Sequence, residues 1–583
     1  MKKSRLLFVC LALGLLAALT LIPALAQEGP GPGEGGVLIE PNLGGDINTL
    51  NPILSNDQAS SDVIDRIFPD LTGYDPATQL AVPDALGTMA TSWDVSDDGT
   101  VYTFHLRDDW NWNDGTPITS ADYQYAWDAI ASGATDTPLG YLLDVIESVE
   151  SPDPQTVVVT FKGADCAAIY NAGYVPVVPS HIFSQMFGTD YAAMNNSDWN
   201  IAPSVTAYSF QFGEFRPGEQ VSVLANQDYP DAQLGYVAPE GWIYKNVPDQ
   251  TIMLEQFLAG DVTYTQVAQS RQQEFRDLAQ ERGFQIFEYA DNSFVFMAMN
   301  SADPANPQNG VDENGDPIDQ GHHPIFGDPR VRQALVMALD KEAIVNGAAN
   351  GEGNVLASHA NPNSWAYNPD LQPRPFDQEG ALALLAEAGW VDADNDPSTP
   401  LVAQGALYAP DGTELSFSLI TNAGNQVRES VATIVQDQLS QIGVAVDFQA
   451  IDFNVAIDEM LSQTYDAIIL GWSFSFPDNP DDPTANFAPT NDIVGSGYNF
   501  TSYNNPEVTD LLDQARDLPG CNPEERAQLY YQVQEILFND QPWVWFFQPN
   551  TMWVAQANVQ NWSPFPGHPN QIRWNLDAMS IIP

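Results

Sequence analysis

Residues 415–448 hold the pattern that most narrows what this chain can become. Leu415, Phe417 and Leu419 alternate as a strand does, and Val427, Val431, Ile434, Val435, Leu439 and Ile442 then recur at helical spacing. Gly443 stands where a left-handed residue ends a helix, and Val444, Val446 and Phe448 alternate again. Two strands joined through a helix pair in parallel, and parallel strands need cover on both faces, so this half predicts an α/β sheet. Asp328-Pro329, Asn505-Pro506 and Asn522-Pro523 each set a capping side chain before a first-turn proline, and Val331, Leu335, Ala338 and Leu339 continue the first as a helix. Earlier in the chain, Val95 to Leu106 predicts a hairpin turning at Asp98-Gly99, and Asp153-Pro154 precedes a strand from Val157 to Phe161. The early third is thus expected to be β-rich, with strands and helices alternating from about Phe294 onward. No internal repeat is visible.

Lys2, Lys3 and Arg5 precede an apolar run from Leu6 to Ile22, and Ala24-Leu25-Ala26 follows with the small-x-small spacing that signal peptidase reads. Residues 1–26 are expected to be a signal peptide cut after Ala26. The alternative is an N-terminal membrane anchor, for which the run is marginal against a hydrocarbon core of roughly 30 Å. A lipoprotein anchor fits less well, because Cys10 follows Val9 near the start of the run. Residues 27–36, rich in Gly, Pro and Glu, are expected to be a flexible linker.

Of 583 residues, 77 are Asp or Glu and 19 are Lys or Arg, a formal charge of −58. Loss of the first 26 residues leaves 16 basic residues, with Lys162, Lys245 and Lys341 the only lysines. Nucleic acid and anionic membrane surfaces need clustered cations, so neither is an expected partner. With 28 Phe, 21 Tyr and 14 Trp, the chain has far more core-forming surface than a disordered acidic chain. In an oxidising compartment Cys166 and Cys521 either form one long-range disulfide or remain two buried thiols.

Familiar catalytic motifs are missing: there is no Gly-rich loop ending in Lys-Ser/Thr, no HExxH and no G-x-S-x-G. Asp392-Ala393-Asp394-Asn395-Asp396 and Asp312-Glu313-Asn314-Gly315-Asp316 have the alternating carboxylates of a calcium loop. The first has Pro397 where such a loop needs Gly and Ala403 where it needs Glu, and solvated turns are the preferred reading of both. His322-His323, beside Pro324, reads as a solvated pair rather than a pair of metal ligands. No metal or cofactor is expected.

Further segments follow one another in a telling order: Asp46-Ile47-Asn48-Thr49-Leu50-Asn51-Pro52, Ala85 to Trp93, Asp98 to Arg107, Trp112 to Asp122, Arg216-Pro217-Gly218-Glu219, Leu258-Ala259-Gly260-Asp261, Phe326 to Leu335, and Leu384 to Trp390. Their order and spacing resemble the extracytoplasmic solute-binding proteins of ABC importers, of the oligopeptide, dipeptide and nickel-binding type (family 5). The resemblance runs over nearly the whole chain after residue 26. It implies an α/β, two-lobed periplasmic-binding-protein-like fold (type II) with an additional β-rich domain inserted in the first lobe. Lobe one would comprise residues 37–73, 176–289 and 541–583, the inserted domain 74–175, and lobe two 290–540. The implied activity is capture of a peptide or peptide-like solute between lobes and delivery to a membrane ABC permease. An exported monomer that is not an enzyme is implied. An oligosaccharide is the alternative ligand, and a secreted hydrolase on a similar body is the remaining alternative.

In peptide-binding members of that family, a Trp-x-x-Asp sequence on lobe two supplies a carboxylate for the ligand's amino terminus. Here Gly471-Trp472-Ser473-Phe474 leads to Ser475 at the Asp position. Asp478, or the Asp481-Asp482-Pro483 group, is the candidate substitute; otherwise these acids are exposed in a Pro-rich loop. The family's Gly-Thr-Gly-Pro segment is also absent, with Pro203-Ser204-Val205-Thr206-Ala207-Tyr208 in its place. Both departures weaken the implied peptide specificity. Trp472, Phe474 and Phe476 alternate after the apolar run Ala467 to Leu470, at a strand's carboxyl end, where α/β sheets bind ligands. Either one face of them meets a ligand or two of the three are core. The candidate ligand-binding residues are Trp472, Phe474, Ser475, Asp478 and Asp482.

Overall fold

The computed structural model describes residues 33–582 apart from 44–45, 76–77, 79, 86, 235–236, 248, 397–398, 475–485 and 566–571. The expected signal segment, 1–26, lies outside these residues. After β1 (Val37–Asn42), the hairpin around Asp98-Gly99 forms as β2 (Ala90–Val95) and β3 (Val101–Leu106). Its turn is closed by its own side chains: the Asp98 carboxylate accepts from the Ser96 and Thr100 hydroxyls, and Gly99 takes φ 73°. β4 (Ile146–Asp153) and β5 (Thr156–Phe161) complete an antiparallel sheet of order β2-β3-β5-β4. Tyr102, Phe104, Leu106, Val157, Val159 and Phe161 are buried at alternate positions, as a sheet with one covered face requires.

β6 (Phe210–Arg216), β7 (Gln220–Ala225) and β8 (Gly241–Asn246) join β1 in a second sheet of order β1-β8-β7-β6, with β1 and β8 parallel. A continuous core that includes Leu38, Phe104, Val159 and Trp242 serves both sheets. Within it Arg573 lies 2.6 Å from Glu40 and 2.7 Å from Asp62, and the Tyr264 and Tyr244 hydroxyls donate to those two carboxylates. A buried charge is tolerable only when it is paired and hydrogen-bonded in this way. The cluster ties the first strand to the C-terminal segment.

The third sheet begins with β9 (Tyr264–Val267), helix α1 (Gln272–Arg282), β10 (Gln285–Ala290) and β11 (Ser293–Met299). Helix α2 (Pro329–Met337) starts at Asp328, whose carboxylate accepts the Arg330 N–H; β12 (Gly353–Val355) follows. The crossover of residues 415–448 forms as β13 (Ser416–Asn422), α3 (Gln426–Ser440) and β14 (Ala445–Ile451), and β13 and β14 pair in parallel. Gly443 takes φ 73°, the left-handed turn that lets the chain leave the helix for β14. β15 (Ala467–Ser473), α4 (Pro506–Arg516), α5 (Pro523–Asp540) and β16 (Trp543–Ala555) complete the set.

The strand order is β9-β16-β11-β15-β13-β14, with β10 and β12 also paired to β16. Leu419, Val431, Val435 and Val544 pack on one face of this sheet, and Phe296, Ile468, Leu512 and Trp543 on the other. β16 is the strand that joins separate cores. Its first half pairs with β11, while Met552 to Ala555 pair with β9 and β10, and Met552 and Val554 enter a further core with Leu254, Phe257 and Phe275. Beside this crossing, Gln548 Nε2 donates to the Asp291 carbonyl, and Arg276 bridges Glu288 and Glu352 at 2.6 and 2.9 Å.

The structure joins Cys166 to Cys521 by a disulfide, and the Cys166 N–H donates to the Arg516 carbonyl. The bridge therefore links the chain beside the first core to the turn between α4 and α5. His323 departs from the solvated reading. It is 3% exposed, its Nε2 meets Asp466 at 3.0 Å, and its Nδ1 accepts from the Ile325 and Phe326 N–H groups, while His322 remains exposed and stacks on Tyr408. The reason is tertiary, because Asp466 lies 143 residues further along the chain. In the two acidic loops, Asp312 accepts from the Asn314 and Asp316 N–H groups, and Asp394 from the Asp396 N–H.

Candidate functional site

β13, β14 and β15 run in one direction, and β16 runs with them because both β15 and β16 are antiparallel to β11. Their carboxyl ends therefore gather at one edge, where Asn422, Ile451 and Ser473 finish and Ser293, opposite Ser473, begins β11. At that same edge β16 leaves the α/β sheet for the other core. Residues there lie where a sheet of this kind presents side chains to a ligand and where two bodies of the chain meet.

Trp472 is half-buried at this edge, with its ring 5.6 Å from Tyr498 and 6.4 Å from Phe500. Tyr498 is 53% exposed, so the Trp472–Tyr498 pair offers an aromatic surface. Phe474 lies differently: it is 8% exposed and its ring is 4.8 Å from Phe294. Its backbone is clamped on Asn292, whose Nδ2 donates to the Phe474 carbonyl while the Phe474 N–H donates to the Asn292 carbonyl. Ser475, Asp478 and Asp482, with Phe476, lie outside the described residues. Of the five candidates, the structure therefore sets Trp472 at an accessible edge and Phe474 in a core.

Other residues share that edge without having been singled out from sequence. Among the described residues Asn292 Oδ1 is buried without a hydrogen-bond partner, an acceptor left open beside Phe474. Phe453, just beyond β14, is 50% exposed. Arg428, in the first turn of α3, donates from Nη1 to Asn422 Oδ1 at 2.8 Å, and burial lowers its guanidinium pKa. A Cβ on Gly471 would come within 2.8 Å of Arg428 Nη2, so the guanidinium occupies the space a side chain at 471 would take. The signal that could have found Arg428 is scarcity, since each base in so acidic a chain needs a reason for its place. Hydrogen-bond donors, an open acceptor and exposed rings together suit a ligand with both polar and apolar parts.

The model of the bacterial extracellular solute-binding proteins, family 5, matches residues 86–493. The oligopeptide-binding protein AppA of Bacillus subtilis is 26% identical over 552 residues, covering 94% of this chain and 92% of that protein. The solved structure of the oligopeptide-binding protein AppA from Bacillus subtilis, in complex with a nonapeptide, superposes with a TM-score of 0.67 at 25% identity, over 95% of this chain and 100% of that one. HbpA2 from Haemophilus parasuis shares the fold with a TM-score of 0.75 at 20% identity, over 94% of this chain and all of that one. On these matches and this two-lobed α/β architecture, the chain belongs to the bacterial extracellular solute-binding proteins of family 5.

Proposed function

We propose that this protein captures a peptide or peptide-like solute between two lobes and hands it to a membrane ABC permease. The observation that carries this reading is the likeness to an oligopeptide-binding protein over 94% of the chain. In this reading lobe one comprises residues 37–73, 176–289 and 541–583, a β-rich domain is inserted at 74–175, and lobe two is 290–540. The passage of β16 from one core to another supports the division. The solute sits at the carboxyl edge of the α/β sheet, with Trp472 as an aromatic wall; Asp478 and Asp482 are the lesser candidates to partner an amine or hydroxyl of the ligand. Residues 1–26 export the chain and are removed after Ala26, and the mature protein acts as a monomer outside the cytoplasm. Capture of this kind requires no bond to be made or broken: the ligand stabilises the closed arrangement by binding it more tightly than the open one.

Melting scans against peptide and oligosaccharide panels test the reading. Peptides at a hundred times Kd should stabilise the protein by about 2.7 kcal/mol. Stabilisation by sugars and by no peptide would replace it with the oligosaccharide reading, which the Ser475 departure from Trp-x-x-Asp favours. Turnover of a peptide, ester or glycan by pure protein would overturn the binding role itself.

A further inference from the structure

Many ion pairs in this chain join residues of one body: Arg107 meets Asp109, Arg271 meets Glu274, Arg330 meets Asp328, and Arg573 meets Glu40 and Asp62. Arg276 reaches across. It stands on α1, whose Phe275 packs with Leu254, Phe257, Met552 and Val554 in the core beside β9 and β10. Its Nε donates to Glu288 of β10 at 2.6 Å, within that body, while Nη1 and Nη2 donate to the two oxygens of Glu352 at 2.9 and 3.1 Å. Glu352 belongs to the other body. It leads into β12, which pairs with Phe547 to Pro549 in the first half of β16, and Val355 of that strand packs on the core of the α/β sheet.

The pair therefore spans the point where β16 leaves one core for the other, at Pro549 and Asn550. The strands there carry bonds of their own: the Asp291 N–H donates to the Pro549 carbonyl, and the Asn550 N–H to the Glu352 carbonyl. Bonds of that kind turn with the strands. A bond made from a helix standing off them has to stretch when the angle between the bodies changes, and a hydrogen bond of about 3 Å is lost beyond roughly 3.5 Å. A cavity of about 190 Å³, lined by Gln272, Tyr289 and Asn550 among others, adjoins the pair and leaves room for such a change. Two parallel bonds between guanidinium and carboxylate are the strong form of an ion pair, and with the side chains 29% and 17% exposed, salt screens it only in part. Glu288 holds the third nitrogen, so the fork is aimed by its own body before Glu352 meets it.

We propose that the Arg276–Glu352 pair is a strap across this crossing, which holds the two lobes in the arrangement the structure has and so tightens their grip on the solute. That role rests on the capture between lobes proposed above and adds what biases it. In this arrangement the bodies also touch away from the crossing, where the Cys166 N–H donates to the Arg516 carbonyl, as lobes closed on each other do. A contact made in the closed arrangement and lost in the open one raises affinity by the factor by which it raises the closed population.

The test compares the full, oxidised chain with Arg276→Gln, Glu352→Gln, the two together, and Glu288→Gln, with a mixed tetrapeptide pool as the probe. Titration followed by tryptophan fluorescence should show the pool bound about three- to tenfold more weakly by either Arg276→Gln or Glu352→Gln. The double variant should lose no more than one of them, because both remove the same contact. Glu288→Gln, which removes a bond within one body, should stay close to the wild type. X-ray scattering from the ligand-free chain should give a larger radius of gyration for the two single variants and the double one. At about 1 M salt, where the Debye length is about 3 Å, the gap between these variants and the wild type should narrow. Wild-type affinity and radius in Arg276→Gln and Glu352→Gln, or a double variant that loses the sum of the two, would overturn the strap and leave peptide capture standing. Failure of the pool to bind the wild type would overturn the peptide reading, and the radii of the ligand-free variants would still decide the strap.

Discussion

Asp492 shows how one residue acquires a property that its neighbours in sequence do not indicate. It is 1% exposed, burial pushes its carboxyl up to about 6, and Gln320 and Gln463 donate amide N–H groups to its two oxygens. An unfolded Asp titrates near about 3.9, so the folded chain holds a proton that the unfolded chain has lost between these values. The stability contributed by this group is full below about pH 4 and is lost as pH rises through about 6, a change of about 3 kcal/mol at most. Melting temperatures between pH 4 and 8 should therefore fall more for the wild type than for Asp492→Asn. Parallel curves would reject the assignment. Among the site residues, Trp472 was legible as an aromatic at a strand end. The burial of Phe474 was not, because its partner Phe294 lies on another strand, 180 residues earlier.

At the scale of single elements the chain was readable. Asn505 and Asn522 cap α4 and α5 as their Asn-Pro pairs predict, with Asn522 Oδ1 accepting the N–H groups of Glu524 and Glu525. Capping and proline at the first turn act within four residues, so no distant partner is needed to see them. Replacing Asn522 by Ala should cost about 1 kcal/mol, read as a lower midpoint in urea with an unchanged slope. The β13-α3-β14 crossover was legible for the same reason, since its apolar periods and Gly443 are local. Two features of elements were hidden. β16 changes partners along its length, and β11 runs against β15, because strand pairing is decided by residues far apart in sequence.

Across the whole molecule, three covalent routes join the first core to the α/β sheet among the described residues: the β10–β11 link, β16 and the Cys166–Cys521 bridge. The first two are strands lying side by side, where the proposed capture between lobes would require the chain to bend. The third ties the turn between α4 and α5 to the chain before the first core's Ala168. Reduction, or the double change Cys166→Ser and Cys521→Ser, should cost about 2–5 kcal/mol of stability because the bridge closes a very long loop. It should also enlarge the radius of gyration of the ligand-free protein in X-ray scattering; an unchanged radius would show that the bridge leaves the relative motion of the two bodies unrestrained. The charge of −58 acts at this scale too, as a solvated surface whose self-repulsion salt screens.

What the sequence determined by itself was whatever short-range physics decides: the turn at Asp98-Gly99, the capped helices, the parallel crossover, the acidic surface, and the ordered segments that carry the family resemblance. Tertiary structure decided which residues meet. It paired His323 with Asp466, buried Phe474 on Phe294, joined Cys166 to Cys521, and set Arg428 in the space left by Gly471. Hydrogen bonds in caps and turns form between near neighbours and leave a local pattern. Contacts between distant segments depend on how whole faces pack, and a single chain of residue types carries no mark of them until it has folded.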